Sequence, residues 1–117
     1  MHKAQALAIH CVDFRFQEMT DADLTKRGLQ GKFDRISWPG ASKDLENIKN
    51  ACEVSLSLHD PDEIIIYEHE DCGAYGENNS ETAHKSNAQK LMAALKEIKP
   101  SLKFSTFIAT FDGIKDL

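Results

Sequence analysis

What this sequence of 117 residues has little of narrows its possible roles. It holds three cysteines, three prolines, six glycines and one tryptophan. A small, odd number of cysteines does not suit a disulfide framework; outside oxidising compartments such cysteines more often bind metal, react or pack. No apolar run approaches the ~20 residues needed to span a bilayer. The start, Met1-His2-Lys3, leads into a strand-like run with no secretion-signal pattern. The expectation is a cytoplasmic chain without a membrane partner. Positive charge is not in excess either. Nineteen Asp and Glu outnumber fourteen Lys and Arg, for a net charge of −5, which argues against nucleic acid or anionic lipid as a general partner. Neither G-x-G-x-x-G nor G-K-[ST] occurs, so no glycine-rich phosphate loop is present. A phosphatase loop of Cys, five residues and Arg also fails, since position 17 after Cys11 is Gln17.

What is there is globular. Apolar residues make up 41% and charged residues 28%, outside the disordered range. The length suits one domain over residues 1–117, and such a chain buries roughly two thirds of its unfolded surface.

Apolar patterning predicts alternating strands and helices. Strands are expected at 4–11, 33–38, 63–69 and 102–111, the third with the core Ile64-Ile65-Ile66-Tyr67 of a strand buried on both faces. Helices are expected at 17–29, 42–59 and 80–98. Leu45, Ile48, Cys52 and Leu56 stripe the second, and Ala88, Leu91, Met92, Leu95 and Ile98 the third. Asp112-Gly113 reads as a turn. The order predicts an α/β fold, a mostly parallel four-stranded sheet with helices on both faces. Ligands of such sheets bind beyond the carboxyl ends of strands, where the strand order reverses.

Two segments lie at such ends: Cys11-Val12-Asp13-Phe14-Arg15 and His69-Glu70-Asp71-Cys72-Gly73. If their strands are neighbours, Cys11, His69 and Cys72 converge. Two thiolates and an imidazole make a three-ligand zinc set, which in catalytic sites leaves a fourth position open. His-x-x-Cys alone is weakly specific; the full set is more so. A nucleophilic Cys72 paired with His69 is the competing reading, but it gives Cys11, Asp13 and Arg15 no task. A closed structural site would need a fourth ligand, for which Asp13 is the best group available.

Cys11-x-Asp13-x-Arg15 with His69-x-x-Cys72-Gly73 resembles the β-class carbonic anhydrases, as do the turn Pro39-Gly40-Ala41 and the strand Asp62-Glu63-Ile64-Ile65-Ile66. The resemblance extends over about residues 4–112. It implies zinc held by Cys11, His69 and Cys72, and reversible hydration of carbon dioxide to bicarbonate by a zinc-bound hydroxide. It implies that Asp13 orients the hydroxide while Arg15 holds Asp13 away from the metal, and that the chain forms a homodimer or higher homo-oligomer. Relatives that attack carbonyl sulfide or carbon disulfide, and a zinc-binding sensor or interaction module without catalysis, are the alternatives. Glu68 and Glu70 flank His69 where the family commonly has Gly and Ser or Thr, and Glu70 is expected to add negative charge near the metal.

Other residues read as structural. Cys52 is expected in the core, and His10 on the face opposite Cys11. His2, His59 and His84 read as solvated, as do Lys85, Lys90, Lys96 and Lys99. Asp71 reads as a cap for its loop, and Tyr75 and Trp38 as pocket walls.

Overall fold

The computed structural model describes residues 2–117. Five strands, β1 (Ala6–His10), β2 (Phe33–Ser37), β3 (Glu63–His69), β4 (Lys103–Thr110) and β5 (Gly113–Asp116), form one sheet in the order β2-β1-β3-β4-β5. Three helices, α1 (Gln17–Lys26), α2 (Leu45–His59) and α3 (Glu81–Ile98), connect them. The first four strands are parallel, so the expected architecture stands.

The fifth strand is a correction. β5 turns back antiparallel on β4, with Thr110 paired to Gly113. Thr110 Oγ1 ties the turn by donating to the Gly113 carbonyl at 2.7 Å and accepting from the Asp112 N–H at 3.2 Å. Four residues, two of them charged, carry no apolar alternation strong enough to announce a strand.

Alternation along the strands sorts the core into two layers. Leu7, Ile9, Ile64 and Ile66 face α2 and α3, where they meet Ile48, Cys52, Ala88, Leu91 and Leu95. Ala6, Ala8, Ile65 and Tyr67 face the α1 side and pack on Leu24 and Leu29. Ile64, Ile65 and Ile66 are fully buried, each contributing about 1.5–3 kcal/mol through the surface it removes from water.

Local chemistry sets the helix limits. α1 stops at Lys26 rather than 29, since Gly28 follows in the left-handed region. α2 starts at Leu45 rather than 42, because the Asp44 side chain caps it by accepting from the Asn47 N–H, at 3.4 Å. α3 is capped by Ser80, which accepts from the Ala83 N–H at 3.0 Å. Its stripe buries Ala88, Leu91 and Leu95, while Ile98 at its last turn is 43% exposed.

From β1 the chain crosses to β2 on one side, and the next crossover returns to β3 on the other. The strand order therefore reverses between β1 and β3, and a crevice opens at their carboxyl ends. Register places His10 opposite Tyr67, so Cys11 follows β1 at the level where β3 reaches Glu68 and His69.

Candidate metal centre

Three donors meet in that crevice. Cys11, His69 and Cys72 are all buried, and their ligand atoms lie within 4.8 Å of one another. The two sulfurs are 4.0 Å apart. Tetrahedral zinc with Zn–S bonds of 2.3 Å would set them about 3.8 Å apart.

Each donor is aimed by its surroundings. Cys11 Sγ accepts the Gly40 N–H at 3.3 Å. Position 40 requires glycine: its φ is +79°, and a Cβ there would stand 3.1 Å from Lys43 Cβ and 3.2 Å from Ala74 Cβ. His69 Nδ1 donates to the Glu70 carbonyl at 2.6 Å, and the ring stacks on Phe16 with centroids 4.5 Å apart. That bond leaves the lone pair on Nε2, which is buried and has no hydrogen-bond partner. Such an orphan atom beside two sulfurs is costly unless a cation uses it. The sulfurs also act on each other. The hydrogen bond from Cys72 draws the Cys11 pKa far down, and the thiolate so formed drives that of Cys72 up. A second thiolate therefore forms only beside compensating positive charge. Two soft donors and one imidazole suit zinc, and the residues fit that ion.

Asp13 and Arg15 border this cluster. Asp13 precedes a short 3-10 turn, Phe14–Phe16, and caps it by accepting from the Arg15 N–H at 2.9 Å. The Arg15 guanidinium donates from Nη2 to Asp13 Oδ2 at 2.7 Å and from Nε to Oδ1 at 3.0 Å. Those bonds pull the Asp13 pKa down to about 2, against a smaller opposing effect of burial. Arg15 also reaches the other loop, donating to the Asp71 carbonyl at 2.9 Å and to its carboxylate at 3.0 Å. Asp13 Oδ2 comes within 3.8 Å of His69 Nε2. Outside lies an open cleft of about 730 Å³, bordered by Val12, Asp13, Phe14, Arg15, Asp71 and Cys72.

Other expectations meet the structure less evenly. Cys52 is fully buried and burial pushes its thiol up to about 12, as a core residue requires. His10 is buried, with Nδ1 donating to the Cys11 carbonyl at 2.9 Å. Trp38 packs on the α2 and α3 core, and Tyr75 is buried. Asp71 sits at φ +53° and pairs with Arg15. His84 is not solvated: it is 1% exposed and bonded to Glu68. His59 is half-buried, with Nδ1 donating to Asp34 Oδ2 at 2.7 Å. Lys85, Lys90 and Lys96 are exposed, but Lys99 is tied to the Asp60 carboxylate at 2.8 Å and the Pro61 carbonyl at 2.8 Å. The Glu70 carboxylate turns to the β4–β5 turn, accepting the Phe111 N–H at 2.8 Å.

Comparison with known proteins identifies the family and the fold. A family model described as "Putative carbonic anhydrase" matches residues 1–112. The chain belongs to this carbonic anhydrase family. Uncharacterized proteins of Rickettsia conorii and Rickettsia bellii are 34% and 35% identical to it, over 97% of this chain and 72% and 81% of theirs. Among solved structures, carbonic anhydrase from Streptococcus mutans superposes with a TM-score of 0.69 at 16% identity, covering 98% of this chain and 82% of that one. The β-carbonic anhydrase CafA of Aspergillus fumigatus gives 0.66 at 15%, covering 99% and 76%. A tetrameric β-carbonic anhydrase of Sordaria macrospora gives 0.66 at 15%, covering 100% and 82%. At these identities the likeness is one of fold, and the fold is that of the β-carbonic anhydrases. Among the described residues, no helix is long and apolar enough to cross a membrane.

Proposed function

We propose that this family member is a zinc-dependent lyase interconverting carbon dioxide and bicarbonate, with Cys11, His69 and Cys72 as metal ligands. The observation that carries the reading is the unpartnered, buried Nε2 of His69 beside two sulfurs 4.0 Å apart. Zinc, when bound, supplies the Lewis acidity that makes water a nucleophile near neutral pH. Two thiolates cancel the charge of the ion, so this donor set acidifies water less than three histidines would. Orientation by the chain then matters more. Asp13, kept ionised by Arg15, is an acceptor beside His69 Nε2, and it takes a hydrogen bond from the attacking water and fixes its direction. Arg15 holds both Asp13 oxygens, which keeps that carboxylate from competing for the metal. Val12 and Phe14 offer an apolar approach for an uncharged substrate.

The same apolar side chains support a homo-oligomer. Val12, Phe14 and Phe111 are 46%, 84% and 57% exposed, and a second copy covering them would dry the mouth of the site. Three free cysteines suit the reducing cytoplasm.

Metal analysis of the purified protein with stopped-flow hydration of carbon dioxide tests the proposal. The expected result is one zinc per chain and hydration well above the buffer rate. A zinc-loaded protein no faster than buffer would select a binding or sensing role. Turnover of carbonyl sulfide or carbon disulfide without hydration would select a hydrolase. Protein that takes up no zinc would end the reading.

A further inference from the structure

Behind the sulfurs lies a set of buried polar side chains that the proposed chemistry does not use. Glu68 neighbours His69 on β3 and points to the opposite face, where it is 1% exposed. Its carboxylate accepts four hydrogen bonds: from the Ser42 N–H at 3.1 Å, Ser42 Oγ at 2.7 Å, Tyr75 OH at 2.7 Å and His84 Nδ1 at 2.7 Å. With Nδ1 donating, His84 presents its other nitrogen to Asn79, and Nε2 lies 2.8 Å from the amide. The orientation of that amide in which no donor faces a donor points its nitrogen at His84. Its oxygen then accepts from the backbone N–H groups of Cys72 at 3.1 Å and Asp71 at 3.2 Å.

This chain of contacts ends on the loop that carries Cys72. Asp71 holds φ +53°, a left-handed conformation that costs a non-glycine residue energy and so needs fixing from outside. Arg15 grips the loop from the solvent side, through the Asp71 carbonyl and carboxylate. Asn79 grips it from within.

We propose that Glu68, His84 and Asn79 are positioning residues that hold the Asp71–Cys72 backbone so that the Cys72 sulfur is already set for metal capture. The proposal rests on the reading of Cys11, His69 and Cys72 as zinc ligands. Glu68 anchors the chain, His84 transmits its orientation, and the Asn79 oxygen fixes the two N–H groups. A loop fixed beforehand loses less freedom on binding, so the chain of contacts acts on metal affinity and ligand geometry rather than on the reaction itself.

The experiment compares the parent, Asn79→Ala, Asn79→Asp and Ser80→Ala. Ser80→Ala removes the α3 cap one residue away and serves as a control for general loosening. Zinc affinity is read by chelator competition, and geometry by the thiolate-to-metal charge-transfer band of the cobalt(II)-substituted protein. Asn79→Ala is expected to weaken zinc binding ~10–100-fold, the usual cost of losing a group that supports a ligand, and to shift or weaken the cobalt band. Asn79→Asp keeps an oxygen facing the two N–H groups but gives up the N–H that meets His84 Nε2, so it is expected to recover part of the loss. Ser80→Ala is expected to lower the melting temperature while leaving affinity and spectrum in place. Asn79→Ala binding zinc within twofold of the parent would overturn the positioning role alone, as would an equal loss in Ser80→Ala. A parent that binds neither metal would overturn the ligand reading and the positioning role with it.

Discussion

Arg15 holds Asp13 with a fork, Nη2 to Oδ2 at 2.7 Å and Nε to Oδ1 at 3.0 Å, in a loop whose cysteine faces the sulfur of another loop. The same guanidinium spans to Asp71, so one side chain both orients the acid and ties the two loops together. Removing it should do two things. Asp13 Oδ2, 3.8 Å from His69 Nε2, becomes free to move onto the metal, and the Cys72 loop loses its outer tether. Arg15→Ala is therefore expected to retain zinc and lose hydration activity by ~10–100-fold, the range seen when a supporting group is lost. Zinc content and stopped-flow rates on the same preparation check this, and a zinc-loaded variant with the parent's rate would remove Arg15 from the proposed mechanism.

Cys72 and Cys52 should separate cleanly. Cys72→Ser replaces a thiolate by a poorly acidic hydroxyl and is expected to lower zinc affinity by more than the ~10–100-fold typical of a supporting residue. Cys52→Ala, on the buried face of α2, is expected to leave zinc content unchanged at a modest stability cost. Zinc per chain after dialysis against a chelator distinguishes them. Equal content in parent and Cys72→Ser would leave the proposed centre without a basis.

Much of this arrangement was legible in the sequence because strands bury residues in runs. Ile64 to Tyr67 marked a central strand, and the segments after it and after the first strand carried the sulfurs and imidazole that the structure brings together. The polar interior was less legible. A buried Glu or His has the same letter as a solvated one, and burial depends on partners distant in sequence: Glu68 meets Ser42, Tyr75 and His84. Two periodicities did point to it. Glu68 continues the alternation of Ile64 and Ile66 on a covered face, and His84 continues the helical stripe of Ala88, Leu91 and Leu95. Polar residues on apolar stripes call for partners, and these two have each other. Glu70, by contrast, is turned away to the Phe111 N–H, at the turn that leads into the unforeseen β5.

The stability of the fold should be unusually sensitive at Glu68. Glu68→Gln conserves volume but replaces one acceptor oxygen with an NH₂ group. On either side that group faces two donors, Ser42 N–H and Oγ or Tyr75 OH and His84 Nδ1. Buried donors left without acceptors cost ~1–3 kcal/mol each, so the expected loss is about 3 kcal/mol. Against a typical total of ~5–15 kcal/mol, that should appear as a large fall in the urea midpoint. Measuring it on zinc-free protein keeps metal affinity out of the comparison, and a loss below ~1 kcal/mol would show that the carboxylate is not the hub its contacts describe.

Phe14 gives the proposed self-association its most direct test. Its ring is 84% exposed at the mouth of the cleft among the described residues. Burying one such side chain contributes ~1.5–3 kcal/mol, and in a two-fold interface each substitution counts twice. Phe14→Glu is therefore expected to weaken dimerisation by ~3–6 kcal/mol, at least a hundredfold in Kd. Because the ring packs on little of its own chain, the far-ultraviolet circular dichroism of the separated chains should not change. Sedimentation of parent and variant over a range of concentrations reads the shift. A parent that sediments as a monomer at every concentration would remove the homo-oligomer, and a variant as tightly associated as the parent would move the interface away from the mouth of the site.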